Sequence, residues 1–92
     1  MEKKIRQQLR FYGRVQGVGF RYTAQHAAYS LGLTGWVLND YDGSVLMEVQ
    51  GTKEKILKMI EMLENGVFIE IDSIDKTELP VLEYESSFHI KD

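Results

Sequence analysis

Apolar and polar residues alternate near the amino terminus with the two-residue period of a β-strand that buries one face. The apolar side is formed by Ile5, Leu9 and Phe11. This pattern predicts a first strand over residues 5–13. The spacing then changes to that of a helix, with apolar positions at Ala24, Ala27, Ala28 and Leu31. Gly32 follows as an expected left-handed cap, so we predict a helix over residues 22–31.

Two further strands and a second helix are predicted in the middle of the chain. Residues 35–39 and 44–50 are rich in β-forming residues, and Asp40-Tyr41-Asp42-Gly43 between them has the composition of a turn. The pair therefore predicts a β-hairpin. Thr52 is the expected N-cap of a helix that ends at Asn65-Gly66. Its apolar stripe consists of Ile56, Leu57, Ile60 and Leu63.

The last third of the chain completes the predicted fold. Residues 67–77 are rich in β-formers, but their alternation breaks near Ser73-Ile74, which predicts a bulge or a bend. Alternation returns over residues 84–90 and predicts a short final strand. The order βαββαβ with this added strand predicts an α+β protein, a two-layer sandwich of the ferredoxin-like kind. Its mostly antiparallel sheet would be covered on one face by the two helices, and 92 residues suit one domain over residues 1–92.

Composition and charge narrow the classes of function. The chain has no cysteine, which excludes disulfides, thiolate metal sites, iron-sulfur clusters and cysteine nucleophiles. Lysine and arginine number 11 against 14 acidic residues, a net charge of −3, so the whole-molecule field attracts neither nucleic acid nor an anionic membrane. The longest strictly apolar runs are three residues, far below the roughly 20 of a membrane span. The amino-terminal residues lack a secretory pattern, so we expect a cytoplasmic protein.

A glycine-rich segment joins the first predicted strand to the first predicted helix. It reads Gly13-Arg14-Val15-Gln16-Gly17-Val18-Gly19-Phe20-Arg21. Glycines allow successive backbone amides to turn towards one point, and the following helix adds the positive end of its dipole. The segment therefore suits a phosphate group, and Arg21 could hold two of its oxygens. Glycine-rich turns are also common without a ligand, and the lysine of a nucleotide-binding P-loop is missing, which disfavours ATP.

This segment and two others resemble the acylphosphatase family. The similar motifs are Gly-Arg-Val-Gln-Gly-Val-Gly-Phe-Arg at 13–21, Gly-Leu-Thr-Gly-Trp-Val-Leu-Asn at 32–39 and Asp-Gly-Ser-Val at 42–45. The resemblance implies a ferredoxin-like enzyme that hydrolyses the carboxyl-phosphate anhydride of acyl phosphates. It also implies that Arg21 and the amides of loop 14–20 bind the phosphate, and that Asn39 orients the attacking water. The phosphate-binding set in this reading is Val15, Gln16, Gly17, Val18, Gly19, Phe20 and Arg21.

The family resemblance has two local departures. Asn65-Gly66-Val67 stands where the family often has a Gly-Pro pair, and residues 67–83 match only weakly. These leave the boundaries of that strand open. Asp40 puts a carboxylate beside Asn39, although consecutive side chains of a strand point to opposite faces.

The implied reaction requires few protein groups. A departing carboxylate has a reference pKa near 4, so no general acid is needed at neutral pH. The amide of Asn39 orients water but cannot accept its proton. We therefore expect no metal and no cofactor. We expect a monomer. Its expected ligands are the acyl phosphate substrate and inorganic phosphate, which is both the product and a competitive ligand.

Two other classes of function share the predicted element order. An RNA-recognition module would carry stacking aromatic residues on its third strand, and residues 44–50 have none. A domain that senses a metabolite without catalysis is the second alternative. We expect the five tyrosines and Trp36 to pack in the core and on the sheet faces, Arg14 to be solvated, and His26 to face solvent. His89 is expected on a strand face, and two histidines without cysteine make no metal signature.

Overall fold

A computed structural model describes residues 2–91. Its elements are β1 (Lys4–Arg14), α1 (Phe20–Leu31), β2 (Thr34–Asn39), β3 (Val45–Thr52), α2 (Lys53–Glu64), β4 (Glu70–Leu79) and β5 (Phe88–Ile90). The strands form one sheet in the order β4-β1-β3-β2-β5. The predicted ferredoxin-like sandwich is confirmed. The sheet is mixed, because β5 runs parallel to β2 while the other pairs are antiparallel.

The hydrophobic core lies between the two helices and one face of the sheet. Its fully buried members include Leu9, Phe11, Ala24, Ala27, Ala28, Val37, Val45, Met47, Val49, Ile56, Met59 and Leu63. The rings of Phe11 and Phe20 meet edge to face, with centroids 4.9 Å apart. This contact packs the start of α1 against β1, and it therefore fixes the two ends of the loop that connects them. Within residues 2–91, neither helix is long and apolar enough to cross a membrane.

Both predicted helix caps are confirmed. Gly32 has a φ of 69°, and the following amide, of Leu33, donates to the carbonyl of Ala28 at 2.9 Å. The hydroxyl of Thr52 accepts a hydrogen bond from the amide of Lys55 at 3.3 Å. The first helix begins at Phe20, two residues before the predicted start. The first turn of the helix therefore includes Phe20 and Arg21, which the prediction assigned to the glycine-rich segment.

The predicted irregularity in the fourth strand is confirmed close to its expected place. The pairing of β1 with β4 shifts between Tyr12 and Gly13, whose partners are Ser73 and Ile71, so Asp72 is the extra residue. Gly13 has a φ of 129°, and a β-carbon there would collide with the backbone oxygen of Glu70. Only glycine allows the two strands to approach this closely.

The sheet face opposite the helices is partly covered by residues 80–87. Arg6 of β1 is 2% exposed on this face, where its guanidinium donates to Glu85 at 2.7 and 3.2 Å and to Glu48 at 3.0 Å. The side chain of Gln50 exchanges two hydrogen bonds of 2.8 Å with the backbone of Leu82. The predicted strand over 84–90 is therefore too long, because the chain crosses this face before it joins the sheet.

The expectation for the tyrosines is wrong for four of the five. Tyr22, Tyr29, Tyr41 and Tyr84 are between 72% and 102% exposed. They lie on the outer side of α1 and in loops, where no second layer of the sandwich reaches them. Trp36 does lie on a sheet face, and the ammonium of Lys91 sits 4.3 Å from its ring centroid. His26 is exposed and His89 lies in β5, both as predicted.

Substituting Glu85 should reveal a pH-dependent contribution to stability. Burial by itself raises the pKa of Glu85, but hydrogen bonds from Arg6 and Thr34 and the charge of Arg6 outweigh it and lower the pKa. A lowered pKa stabilises the fold above the unfolded pKa, about 4.3. That stabilisation is lost as the pH falls through the folded pKa. We expect Glu85→Gln to lower the free energy of unfolding at pH 7 by about 1.5 to 3 kcal/mol.

Urea unfolding at pH 7 and pH 3 measures this effect. The difference between wild type and Glu85→Gln should shrink at pH 3, because the stabilisation that a lowered pKa provides declines as the pH falls below the unfolded pKa of about 4.3. Glu83→Gln is the matched control, since Glu83 is exposed on the same segment and should change stability little. An unchanged difference at the two pH values would show that the charge of Glu85 contributes nothing.

Candidate functional site

The loop between β1 and α1 is anchored at both ends and bent in between. Val15 is 1% exposed and Phe20 is 2% exposed, so both ends of the loop are held in the core. Gly17 and Gly19 have φ values of 71° and 80°, in the left-handed region that favours glycine. Gly13, the third glycine of the motif, belongs to β1 and serves strand packing instead. The fold thus confines the loop proper to residues 15–19.

The first turn of α1 leaves its backbone donors available to a ligand. Within the described chain, no side chain caps this helix, and its first turn contains no acidic residue. The N-cap position is held by Gly19, whose carbonyl accepts from the amide of Thr23 at 3.0 Å. Amides of a first helical turn have no partner within the helix, and the helix dipole makes that end positive. The end of the helix is suited to an anion.

Arg21 and Asn39 meet at one pocket of about 210 Å³. The pocket is lined by Val15, Gly17, Gly19, Phe20, Arg21, Tyr22 and Asn39. Arg21 comes from the first turn of α1, and Asn39 is the last residue of β2. The side chains of Gln16 and Val18 point elsewhere: Gln16 reaches the β2–β3 turn, and Val18 packs against the core. Tyr22, to which no sequence motif assigns a role, also borders this pocket.

The side-chain oxygen of Asn39 is buried and has no hydrogen-bond partner among residues 2–91. Leaving a buried acceptor unpaired costs about 1 to 3 kcal/mol, so buried polar atoms normally have a partner, either in the protein or in a bound water or ligand. This oxygen can accept a hydrogen bond from a small polar molecule in the pocket. Water is the smallest molecule that offers such a donor.

The carboxylates near the pocket pair with residues other than Arg21. Within the described residues, Arg21 forms no ion pair with a carboxylate. Asp40 points away to the open sheet face, as expected for the neighbour of Asn39, and accepts from Arg10 at 2.9 Å. Hydrogen bonds from the hydroxyl and the amide of Ser44 lower the pKa of Asp42. Both carboxylates of the turn are thus engaged close to Arg10.

Two other features of the surface, Arg14 and a larger groove, are less suited to binding an anion than the pocket at Arg21. Arg14 is 68% exposed in its side chain, as predicted, and lies 3.8 Å from Glu70. The groove has a volume of about 700 Å³ and runs along α1, but its lining contains no lysine or arginine. Among residues 2–91, no group of three histidine or carboxylate side chains converges to hold a metal ion. The smaller pocket at Arg21 combines a cation, helix amides and a buried acceptor.

The fold is that of a small ferredoxin-like domain, and the pocket at the start of its first helix is suited to an anion. The family model described as Acylphosphatase matches residues 7–90. An acylphosphatase from Clostridium beijerinckii is 46% identical over 80 residues, which cover 86% of this chain and 89% of that protein. The crystal structure of acylphosphatase from Bacillus subtilis superposes with a TM-score of 0.87 at 36% identity, covering 96% of this chain and 99% of the other.

A larger protein contains a similar unit. Full-length HypF, solved in a phosphate- and nucleotide-bound form, superposes with a TM-score of 0.86 at 28% identity. The superposition covers all of this chain and 12% of HypF. The chain belongs to the acylphosphatase family. It is a hydrolase acting on acid anhydrides, and its substrates are small-molecule acyl phosphates.

Proposed function

We propose that the phosphoryl group of the substrate binds in the pocket at Arg21. The amides of loop 14–20 and of the first turn of α1 hold its oxygens, together with the forked guanidinium of Arg21. Asn39 orients the attacking water through its side-chain oxygen. The observation that carries this assignment is the convergence of Arg21, the uncapped start of α1 and the buried Asn39 oxygen on one pocket.

The proposed reaction is a direct transfer of the phosphoryl group to water. The water oxygen attacks phosphorus while the bond between phosphorus and the acyl oxygen breaks, and the carboxylate leaves with the electron pair. A proton of the water passes to the phosphoryl oxygens, since an amide such as Asn39 cannot accept it. Preorganised donors stabilise the charge on the transferring group, so positioning supplies the catalysis.

The proposed function also concerns the cofactor requirement, the oligomeric state, the extent of the domain and the compartment. We propose a metal-independent, cofactor-free monomer that forms one acylphosphatase-like domain over residues 1–92 in the cytoplasm. The family match over residues 7–90 supports the domain. The net charge of −3 supports a protein that binds neither nucleic acid nor anionic membranes.

Steady-state hydrolysis of benzoyl phosphate by the wild-type protein tests the proposal. The rate should be unaffected by a chelator, and inorganic phosphate should inhibit competitively. Size-exclusion chromatography with light scattering should give the mass of one chain. Loss of activity with chelator and its recovery with added metal would refute metal independence. Inhibition by phosphate that is not competitive would refute a shared site for substrate and product.

A further inference from the structure

We infer that Gln16 is a positioning residue that holds the phosphate loop in register with Asn39. Its side-chain nitrogen donates to the carbonyl of Asp40 at 2.6 Å and to the carbonyl of Ser44 at 2.9 Å. Gln16 is the second residue of the loop, directly after the buried Val15, and Asp40 directly follows Asn39. One primary amide thus connects the two segments that form the pocket. The inference rests on the roles proposed above for the loop and for Asn39.

The two carbonyls that Gln16 contacts also close the β2–β3 turn. The carbonyl of Ser44 accepts from the amide of Asp40 at 2.9 Å, and the carbonyl of Asp40 accepts from the amide of Gly43 at 3.2 Å. Gln16 therefore contacts the turn at the hydrogen bonds that set its shape. A carbonyl oxygen has two lone pairs, so both contacts add to the turn without replacing its own bonds.

The same turn is held from the opposite side by Arg10. Its guanidinium donates to the carboxylate of Asp40 at 2.9 Å and to the hydroxyl of Ser44 at 2.6 Å. Arg10 belongs to β1 and has no hydrogen bond to the phosphate loop among the described residues. Gln16 and Arg10 thus both stabilise the turn, but only Gln16 ties it to the loop. Variants of Gln16 and Arg10 can therefore distinguish a role in positioning the loop from a role in stabilising the turn.

The physical reason for a catalytic effect is the distance between phosphorus and water. The loop sets the position of the phosphoryl group, and Asn39 sets the position of the water. A misplacement of about 1 Å between reacting groups can cost on the order of 100-fold in rate. Without Gln16 each segment still forms, because Val15 and Phe20 anchor the loop in the core. Phosphate should then bind nearly as well while the water attacks less often.

The experiment compares Gln16→Met with wild type. Methionine has a similar length and volume but no donor. We expect kcat for benzoyl phosphate to fall about 10- to 100-fold. The inhibition constant of inorganic phosphate should change by less than about threefold, since it depends only on the contacts of phosphate with the loop and with Arg21. Equal losses in kcat and in phosphate affinity, or no loss in kcat, would overturn the inference.

The control is the double variant Arg10→Met with Asp40→Asn, which loosens the turn from the other side without changing the net charge. It should keep kcat within about threefold of wild type while losing thermal stability. A loss of kcat equal to that of Gln16→Met would make Gln16 a purely structural residue. Asn39→Ala separates the two proposals: if it retains turnover, the proposed role of Asn39 fails, whatever Gln16→Met does.

A second variant covers the case in which Gln16→Met does not fold. Gln16→Asn keeps the amide but retracts it by one methylene, so it cannot reach both carbonyls. It should show the same loss of kcat with nearly unchanged phosphate inhibition. Wild-type kcat in a folded Gln16→Asn protein would overturn the inference.

Discussion

Arg21→Ala is expected to lower kcat/KM for benzoyl phosphate by at least 100- to 1,000-fold, the usual effect of removing one preorganised donor from an anionic transition state. Phosphate binding should fall with it, because the guanidinium would contact phosphate in the ground state as well as in the transition state. The variant should be as stable as wild type or more so. A cation in the first turn of a helix opposes the helix dipole at a cost of about 0.3 to 1 kcal/mol, and alanine removes it.

Stability and activity measured together test the Arg21 prediction. Thermal melts should show an unchanged or higher Tm, and the protective effect of phosphate on Tm should disappear. Arg14→Ala is the matched control, since Arg14 precedes the same loop but its side chain is 68% exposed. It should keep kcat/KM close to wild type. If phosphate still raises the Tm of Arg21→Ala as much as that of wild type, phosphate does not bind at Arg21.

Asn39→Ala is expected to abolish measurable turnover and to leave phosphate binding intact. The side chain would contact water and not phosphate, so its loss should act on kcat alone. Phosphate at ten times its dissociation constant adds about 1.4 kcal/mol to folding stability, which raises Tm by several degrees in a domain of this size. That protection should persist in the variant. Because the substitution deletes a buried unpaired oxygen, the protein should remain folded.

The most informative result is the difference between Arg21→Ala and Asn39→Ala in turnover and in phosphate protection. Arg21→Ala should lose both turnover and phosphate protection, whereas Asn39→Ala should lose turnover alone. Asn65→Ala serves as a control for the asparagine, because Asn65 is an exposed residue at the end of α2. Loss of phosphate protection in Asn39→Ala would assign Asn39 to phosphate binding and leave the water without an orienting residue.

The elements of the fold could largely be predicted from local patterns. The alternation on β1, the stripe on α1 and the caps at Gly32 and Thr52 all depend on neighbours within a few residues. Such signals can be recognised in a short stretch of sequence, because a strand or a helix that buries one face has apolar residues at the period of that element. The final strand was less predictable, because residues 84–90 alternate like one strand, yet the segment 80–87 crosses the open sheet face over Arg6 and only Phe88–Ile90 join the sheet.

The site was predictable only in part. Arg21 could be predicted from its place at the end of the glycine-rich loop, whereas Asn39 could be identified only by resemblance to a family, and the structure brings both to one pocket. The contacts of the Gln16 side chain were not predicted, because the motif draws attention to its backbone amide. The exposure of the tyrosines was also missed, since an aromatic residue gives no local sign of whether another layer will cover it.

The sequence by itself determined the two-layer fold, the left-handed glycines of the loop and the residue types that can bind a phosphoryl group, because each is a property of a short segment. Only the tertiary structure decided which of these groups meet. Strand pairing carries the end of β2 to the start of α1, directs Asp40 towards Arg10, and brings Gln16 onto the carbonyls of the turn. Those arrangements join residues distant in sequence, and the packing of the whole sheet and both helices sets them.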